Sequence, residues 1–485
     1  AWQRQKQGLT REPRAWQKAL KLRGAQVHNL RALDVDIPLG VLVAVTGPSG
    51  SGKSTLVEEV LYRAVARQLG DTTDEQPGKH QSLRGLEPLR KTVLVDQSPL
   101  GRTARGNAAT YTKAWDRLRA RFAAEPAAAQ LDLQPGHFSF NVAAGRCETC
   151  SGEGYETVEM QFLADVSFLC PVCQGKRFLP KVLSVRHCGV SVAEALEMTV
   201  DEALLCFDPP SKPDPALRRA LVPVQRVGLG YLPLGQPLST LSGGEAQRLK
   251  LARALSEPAK ATLFVVDEPS AGLHAEDVRP VIEALHTLVD EGASVVVVEH
   301  DLDVIAAADW VIDLGPGGGP DGGQLVAQGT PATVAKGPGK TAEALLAHLS
   351  PRLRPPRKAA AHPLPATSAG ENLAICVEHA REHNLKSVSC QIPHGTLTVV
   401  TGPSGSGKSS LAFDVVYAEG QRRFMETLSP YARQFLPTLP RPDVDQVTGV
   451  PPAIALEQRT ARAGANSTVA TVTEHGQSDQ EVRIG

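Results

Sequence analysis

Two stretches of the sequence combine glycines, a lysine and a serine at the spacing that binds phosphate. Residues 47–54 and 402–409 both read Gly-Pro-Ser-Gly-Ser-Gly-Lys-Ser, which fits the phosphate-binding loop pattern. Backbone N–H groups and the lysine of such a loop face phosphate oxygens, while Ser54 or Ser409 offers a hydroxyl to Mg²⁺. An ordinary glycine turn is the alternative, and two matches in register make it the weaker one. The predicted phosphate-binding residues are Gly47, Ser49, Gly50, Gly52, Lys53, Ser54, Thr55, Gly402, Ser404, Gly405, Gly407, Lys408, Ser409 and Ser410.

Two further segments end in charged residues that could act on a γ-phosphate. Residues 261–269, ATLFVVDEP, read as a buried strand that ends in Asp267 and Glu268. At this position Asp267 would join the Mg²⁺ shell and Glu268 would polarise the attacking water. Residues 295–301, VVVVEHD, repeat the arrangement with His300, which we expect to sense the γ-phosphate. A solvated acidic turn and a structural histidine are the alternatives.

Four cysteines have the spacing of a zinc ligand set. Cys147 and Cys150 are followed, after nineteen residues, by Cys170 and Cys173, and this pattern predicts a closed Cys₄ site that holds Zn²⁺ and folds a hairpin. Four unrelated reduced thiols are the alternative. Eight cysteines in 485 residues are too few for a disulfide scaffold, so a reducing cytoplasm is the expected location. The other four are expected to be core residues: Cys188, Cys206, Cys376 and Cys390.

A signature motif, Leu-Ser-Gly-Gly-Glu-Ala-Gln-Arg at residues 241–248, stands before a helix-forming run. Serine and glycine N–H groups at a helix start form an anion site that can close over a nucleotide. The order of first loop, Gln97, signature, Asp267 and His300 resembles that of the ATP-binding-cassette superfamily. The resemblance implies that ATP lies between one domain's loop and another domain's signature, and that Gln97 is catalytic. The signature residues expected at ATP are Ser242, Gly243 and Gly244.

A cassette with a zinc module inserted ahead of its signature resembles the UvrA family of bacterial nucleotide-excision-repair ATPases. Residues 95–103 and 145–150 look like the second cassette of that family. Residues 418–424 and 452–458 look like the start of its first cassette, so the order of the two is inverted in this chain. The resemblance adds Gln458 to the expected ATP-binding residues.

The resemblance also implies a function. It implies ATP binding and hydrolysis coupled to the recognition of duplex DNA, preferentially damaged DNA, in nucleotide excision repair. A dimer through the cassette domains and a UvrB-like partner are implied as well, although the partner-binding region is not recognisable in this sequence. A UvrA-like drug self-resistance ATPase that acts on drug-bound DNA is one alternative. A soluble translation-factor-type cassette ATPase is another, and the zinc insertion argues against it.

Local charge supports contact with DNA. Residues 174–193 carry basic side chains and no acid, and residues 102–121 carry six basic residues against Asp116. Such patches suit phosphate contacts that do not read base sequence. Ordinary solvated faces are the alternative. The candidate DNA-binding residues are Lys176, Arg177, Lys181 and Arg186.

The elements that must position these residues follow from an internal repeat. Residues 22–56 align with residues 377–411 at an offset of 355, with 19 of 35 positions identical. Each copy contains His-Asn-Leu, then an expected strand, glycine-rich loop and helix. The predicted fold class is α/β: an ATP-binding-cassette P-loop fold with an inserted zinc-ribbon and helical signature region, plus a truncated second cassette.

Composition sets the domain limits and excludes several classes of protein. We expect a cassette over 1–350 with a zinc-containing insertion at about 100–240, a Pro/Ala/basic linker over 351–370 and a partial second cassette over 371–485. Basic and acidic residues balance at 51 and 52, which excludes a globally basic coat. Aromatic residues make up 4% of the chain, which argues against a surface of base-stacking platforms. No run reaches the ~18 apolar residues of a membrane span.

Overall fold

The structure is a computed structural model that describes residues 11–71, 75–98, 100, 106–158, 166–350, 374–426 and 441–455 of the chain. The described residues up to 453 form one unit. The strands of the described residues are β1 Ala19–Ala25, β2 Leu33–Pro38, β3 Leu42–Thr46, β4 Ser82–Arg84, β5 Lys91–Val95, β6 Tyr155–Val158, β7 Val166–Leu169, β8 Arg186–His187, β9 Val190–Ser191, β10 Thr262–Asp267, β11 Ser294–Val298, β12 Trp310–Gly315, β13 Gln324–Gly329, β14 Ala374–Ala380, β15 Val388–Pro393 and β16 Gln446–Thr448.

A six-stranded sheet in the order β13-β12-β3-β11-β10-β5 forms the centre of the first cassette. Its strands are parallel except β13, which runs antiparallel at one edge. The valine-rich β11 is buried throughout because both faces of the sheet are covered. Val295 and Val297 join one core cluster, whereas Val296 and Val298 join the other. The alternation of side chains along each strand therefore feeds two separate cores.

Helices cover both faces of this sheet. On one face lie the antiparallel sheet β2-β1-β4 and the first loop helix, Thr55–Tyr62, which has π-helical winding. On the other face lie the signature helix, Gly243–Leu255, and the helix Ala275–Asp290. No helix among the described residues is long and apolar enough to cross a membrane. Outside the insertion, the other helices and helical turns among the described residues of this cassette are Arg63–Leu69, Leu302–Ala307, Gly319–Asp321, Pro331–Val334 and Lys340–Leu349.

The insertion between β5 and the signature is helical around a zinc-type hairpin. Phe122, Phe138 and Phe140 are fully buried there and belong to the same core cluster as the signature helix. The antiparallel pair β6 and β7 lies between the two cysteine pairs. Helices and helical turns of the insertion are Ala108–Tyr111, Ala114–Ala123, Pro126–Gln130, Pro135–Phe138, Pro180–Leu183, Val192–Glu197, Val200–Phe207, Pro215–Val224, Gln225–Leu229 and Leu238–Thr240.

The second copy repeats the first locally. Its sheet β15-β14-β16 has the strand arrangement of β2-β1-β4, and Ala374 pairs with Pro393 as Ala19 pairs with Pro38. The second loop helix, Ser410–Tyr417, has the same π-helical winding as the first and continues into Ala418–Glu426. The internal repeat is thus present as structure and not only as sequence.

The strand expected directly before the second loop is absent, which corrects the sequence prediction. Residues 397–400 have no strand pairing, and Leu397 is 93% exposed and Val399 75% exposed. In the first copy the equivalent β3 lies between β11 and β12. The described part of the second copy offers no strand equivalent to either of these, so the apolar segment has no sheet to join.

Candidate nucleotide site and cysteine cluster

The carboxyl ends of four parallel strands gather the predicted nucleotide residues at one edge of the central sheet. The first loop follows β3, Asp267 ends β10, and Gln97 lies two residues after β5. His300 lies two residues after β11, which runs between β3 and β10. Because parallel strands end at the same edge, the sheet order alone brings these residues together. This edge is where ligands bind in open α/β sheets.

Lys53 is buried within the first loop. Its Nζ donates to the carbonyl oxygens of Gly47 at 3.1 Å and Pro48 at 2.9 Å. Burial lowers the pKa of Lys53, while the charges of Glu268 and Asp267 oppose that shift. The ammonium group is therefore held by weak carbonyl acceptors beside carboxylates, a position from which it can turn to a phosphate.

Asp267 has the environment of a cation ligand. Burial, followed by the charge of Glu268, raises the pKa of Asp267 to about 6. Its Oδ1 is buried and has no hydrogen-bond partner among the described residues. Ser54 stands exposed at the start of the first loop helix. A carboxylate oxygen without a partner and a loop hydroxyl are both oxygen ligands of the kind that Mg²⁺ prefers.

Glu268 and His300 meet at this edge. Nε2 of His300 lies 3.3 Å from Oε1 of Glu268, and both side chains are partly exposed to solvent, where a substrate could reach them. Glu268 has a left-handed backbone, with φ of 44°. Such a conformation in a non-glycine residue is uncommon and concentrates at functional sites.

Glu299 was not assigned a role from the sequence, and the structure gives it one. The carboxylate is buried and accepts backbone N–H groups of Ser270 at 2.8 Å, His300 at 2.8 Å and Asp301 at 3.0 Å. It thus ties the turn after β11 to the turn after β10. In the sequence, the feature that points to this role is a charged residue placed directly after a run of four valines.

The signature forms a capped helix start. Ser242 Oγ accepts the N–H of Glu245 at 3.3 Å, and Glu245 Oε2 accepts the N–H of Ser242 at 2.9 Å, which is a capping box. Gly243 and Gly244 begin the helix, and their N–H groups take no part in this capping box. Gln247 Nε2 donates to the Asp267 carbonyl oxygen, so the signature helix is joined to the end of β10.

The second loop has the same internal structure as the first. Lys408 Nζ donates to the carbonyl oxygens of Gly402 and Pro403, each at 2.7 Å. Ser409 lies exposed at the start of the second loop helix. Gln458, the last predicted ATP-binding residue, lies outside the described residues.

The second loop also lies against the first cassette, beside its signature. The N–H of Ser404 donates to Oδ2 of Asp277 at 2.8 Å, and Asp277 is in the first turn of helix Ala275–Asp290. A Cβ at Gly405 would lie 2.7 Å from the ring of Tyr231. The Tyr231 hydroxyl in turn donates to Glu245 of the signature at 2.6 Å.

The four predicted zinc ligands converge. The Sγ atoms of Cys147, Cys150, Cys170 and Cys173 all lie within 4.8 Å of one another, and all four residues are buried. The Cys147–Cys170 and Cys150–Cys173 sulfur separations are 3.9 and 3.6 Å. Tetrahedral Zn–S bonds of ~2.3 Å require sulfurs about 3.8 Å apart. These two separations are close to that value, and the cluster as a whole is compatible with Zn²⁺.

The remaining cysteines do not behave as the sequence predicted. Cys188 is exposed, and Cys206, Cys376 and Cys390 are only partly buried. Cys188 occupies the two-residue turn between β8 and β9 with a left-handed φ of 52°. A tight hairpin turn projects its side chains into solvent, whatever their hydrophobicity.

The candidate DNA-binding residues divide into two kinds. Lys176 and Lys181 are exposed. Arg177 is partly buried beside the cysteine cluster, and burial lowers its pKa. Arg186 is exposed but lies 3.2 Å from Glu194. The two lysines are thus the members of the set that are freely presented to solvent.

The fold and site define a class of protein. A phosphate-binding loop after a central strand, an Asp-Glu pair after a nearby strand and a capped signature helix joined to that pair form an ATP-binding cassette. The inserted four-cysteine hairpin separates this cassette from those without a metal module.

Comparison with known proteins identifies the family. No protein-family model matches the chain. The chain is 52% identical over 322 residues to UvrABC system protein A of Aquifex aeolicus, covering 66% of this chain and 34% of that protein. The same protein of Thermus thermophilus is 52% identical over 321 residues, covering 66% and 33%. The crystal structure of UvrA2 from Deinococcus radiodurans matches with a TM-score of 0.65 and 48% identity, over 70% of this chain and 41% of that one. The chain belongs to the UvrA family, and it spans about a third of the length of the curated relatives it matches.

Proposed function

We propose that this chain binds and hydrolyses ATP and engages damaged duplex DNA as part of a UvrA-like nucleotide-excision-repair ATPase. One observation carries the proposal: buried Lys53, the orphaned Asp267 oxygen and the Glu268–His300 pair meet at one sheet edge. A γ-phosphate site needs a cation, a metal ligand and a group that orients water in this arrangement.

Each side chain at the first loop has a role that follows from its place. Lys53 exchanges its two carbonyl acceptors for the β- and γ-phosphate oxygens of ATP. Ser54 and Asp267 would hold Mg²⁺, which would neutralise charge on those phosphates. Glu268 orients the attacking water and accepts its proton. His300 senses the γ-phosphate, and its 3.3 Å contact with Glu268 couples the two side chains.

The second loop takes its signature from the first cassette in this proposal. The sequence contains the signature once, at residues 241–248, and the phosphate-binding loop twice. Support comes from the contact chain that leads from Gly405 through Tyr231 to Glu245. ATP at Lys408 would then face the helix start at Ser242 across the same surface. The Lys53 site would need the signature of another molecule, which becomes available when that molecule's own second loop leaves it, and this is a reason to propose a dimer.

The domain organisation belongs to the same proposal. The cassette over 1–350, with its zinc-containing insertion, would be followed by the linker over 351–370, which lies outside the described residues, and by the partial cassette over 371–485. Zn²⁺ at the four cysteines would fold the hairpin β6–β7. Exposed Lys176 and Lys181 beside it would contact DNA phosphates. A UvrB-like partner and a cytoplasmic location complete the proposal by family relationship.

The test is a set of DNA titrations. Two labelled duplexes of unrelated sequence, each with and without a bulky lesion, are titrated with the chain at 50 and 200 mM salt. Affinity should fall at least ~10-fold with salt and differ little between the undamaged sequences, because phosphate contacts dominate. The lesion should strengthen binding. The double variant Lys176→Ala/Lys181→Ala should bind more weakly, whereas Lys212→Ala, another exposed lysine, serves as the matched control. A flat salt dependence contradicts the proposal.

A further inference from the structure

The His-Asn-Leu motif stands before both phosphate-binding loops, and none of the roles assigned above uses it. It occupies residues 28–30, in the turn between β1 and β2, and residues 383–385, between β14 and β15. Both histidines have a left-handed backbone, with φ of 50° at His28 and 51° at His383. The two turns therefore share one backbone conformation at the histidine.

The asparagine of each turn binds the backbone of its loop. Nδ2 of Asn29 donates to the carbonyl oxygen of Gly50 at 2.5 Å. Nδ2 of Asn384 donates to the carbonyl oxygen of Gly405. Gly50 and Gly405 are the same position in the two loops, so the contact recurs although the surroundings of the loops differ. A side-chain amide bound to a backbone carbonyl fixes the orientation of that peptide group.

The leucine of each turn packs on the same loop. A Cβ at Gly52 would lie 2.8 Å from Leu30 Cδ2, so that a larger residue at this position would force the leucine side chain to move. A Cβ at Gly407 would lie 2.6 Å from Leu385 Cδ2. The loop backbone is therefore in direct contact with the turn at the glycine that precedes each lysine.

The histidine of each turn reaches the helix that follows the loop. His28 Nε2 lies 3.2 Å from Glu59 Oε2 on the first loop helix. His383 Nε2 lies 3.5 Å from Asp414 Oδ2 on the second. Together the three side chains of each motif contact the loop and its helix from one side.

We propose that Asn29 and Asn384 are positioning residues for nucleotide binding. Each holds one peptide group of its loop in place, so that the loop amides are arranged for phosphate oxygens before ATP arrives. Neither asparagine touches the nucleotide in this proposal, which rests on the nucleotide binding proposed above.

The two copies differ in how much they depend on the asparagine. The Gly50 carbonyl also accepts the N–H of Gly319 at 2.9 Å, from the glycine-rich turn after β12. Within the described part of the second copy, Asn384 is the donor to the Gly405 carbonyl, and no second donor accompanies it. Loss of the amide should therefore weaken the Lys408 site more than the Lys53 site.

The experiment measures ATP affinity at one loop at a time in the 485-residue chain, by titration with a fluorescent ATP analogue. Asn384→Ala and Asn384→Asp are made in a Lys53→Ala background, and Asn29→Ala and Asn29→Asp in a Lys408→Ala background. The aspartate keeps the size of the side chain but lacks the donor, whereas the alanine adds no charge. Asn141→Ala, at an exposed asparagine of the insertion, is the control.

We expect about tenfold weaker binding for both Asn384 variants and about threefold for both Asn29 variants, as the loss of one hydrogen bond predicts. The melting temperature without nucleotide should stay unchanged, which separates positioning from a structural role. Parent affinity in the Asn384 variants overturns the inference, as does a loss of affinity that only follows a loss of folded protein. If Lys53→Ala/Lys408→Ala binds ATP like the parent, the proposed function itself fails. If an alanine variant does not fold, Asn384→Ser takes its place.

Discussion

The contact between Asp277 and the second loop predicts competition between a carboxylate and a nucleotide. Oδ2 of Asp277 accepts the Ser404 N–H at 2.8 Å, and this amide belongs to the loop that must receive phosphate oxygens. ATP therefore has to displace Asp277 before it can bind fully. A hydrogen bond to a charged group contributes ~1.5–3 kcal/mol and a neutral one ~0.5–1.5 kcal/mol. Since Asp277 is only half-buried, the lower end of each range applies.

Displacing the side chain of residue 277 should therefore cost about 1 kcal/mol less in Asp277→Asn than in the parent. ATP should bind about fivefold more tightly at Lys408 as a result. The assay is titration with a fluorescent ATP analogue in a Lys53→Ala background, so that only the second loop binds. Glu276→Gln is the matched control, because this substitution removes the same charge from the same helix turn without touching the Ser404 contact. Equal or weaker binding by Asp277→Asn, relative to Glu276→Gln, would refute the reasoning.

Three further predictions concern the first cassette and the cysteine cluster. Glu268→Gln should keep ATP affinity but slow turnover by ~10²-fold or more, because it removes the group that accepts the water proton; unchanged turnover by steady-state assay would reassign the base. Elemental analysis should find one Zn²⁺ per chain, and Cys147→Ser should lose it, since three thiolates leave the tetrahedral site open. The pKa of Asp267 is raised to about 6, so this carboxyl takes up a proton as pH falls through 6. Mg²⁺-dependent ATP binding should therefore weaken about tenfold between pH 7 and pH 5. Asp267→Asn should remove that pH dependence.

The features that the sequence predicted well are those encoded over short stretches. A phosphate-binding loop needs its glycines and lysine within eight residues, and the lysine contacts recur in both copies. The four cysteines needed only correct spacing and a hairpin between the pairs to converge.

The features that the sequence missed depend on distant parts of the chain. Asn29 reaches Gly50 because two strands turn back beside the loop, and Glu299 has a role because β10 and β11 end side by side. The strand expected at residues 397–400 failed for the converse reason, since an apolar run becomes a strand only when neighbours pair with it. Cys188 was misjudged because a hairpin turn, and not hydrophobicity, decides its exposure.

The most direct test of the central claim, that this chain is a UvrA-like ATPase, is specific ATP hydrolysis by the 485-residue polypeptide over a wide protein dilution series. We predict measurable hydrolysis that Lys53→Ala abolishes. Hydrolysis should also rise faster than linearly with protein concentration, because a second chain must complete the Lys53 site with its signature. Hydrolysis that is absent at every concentration, or equal in the parent and Lys53→Ala, would contradict the account.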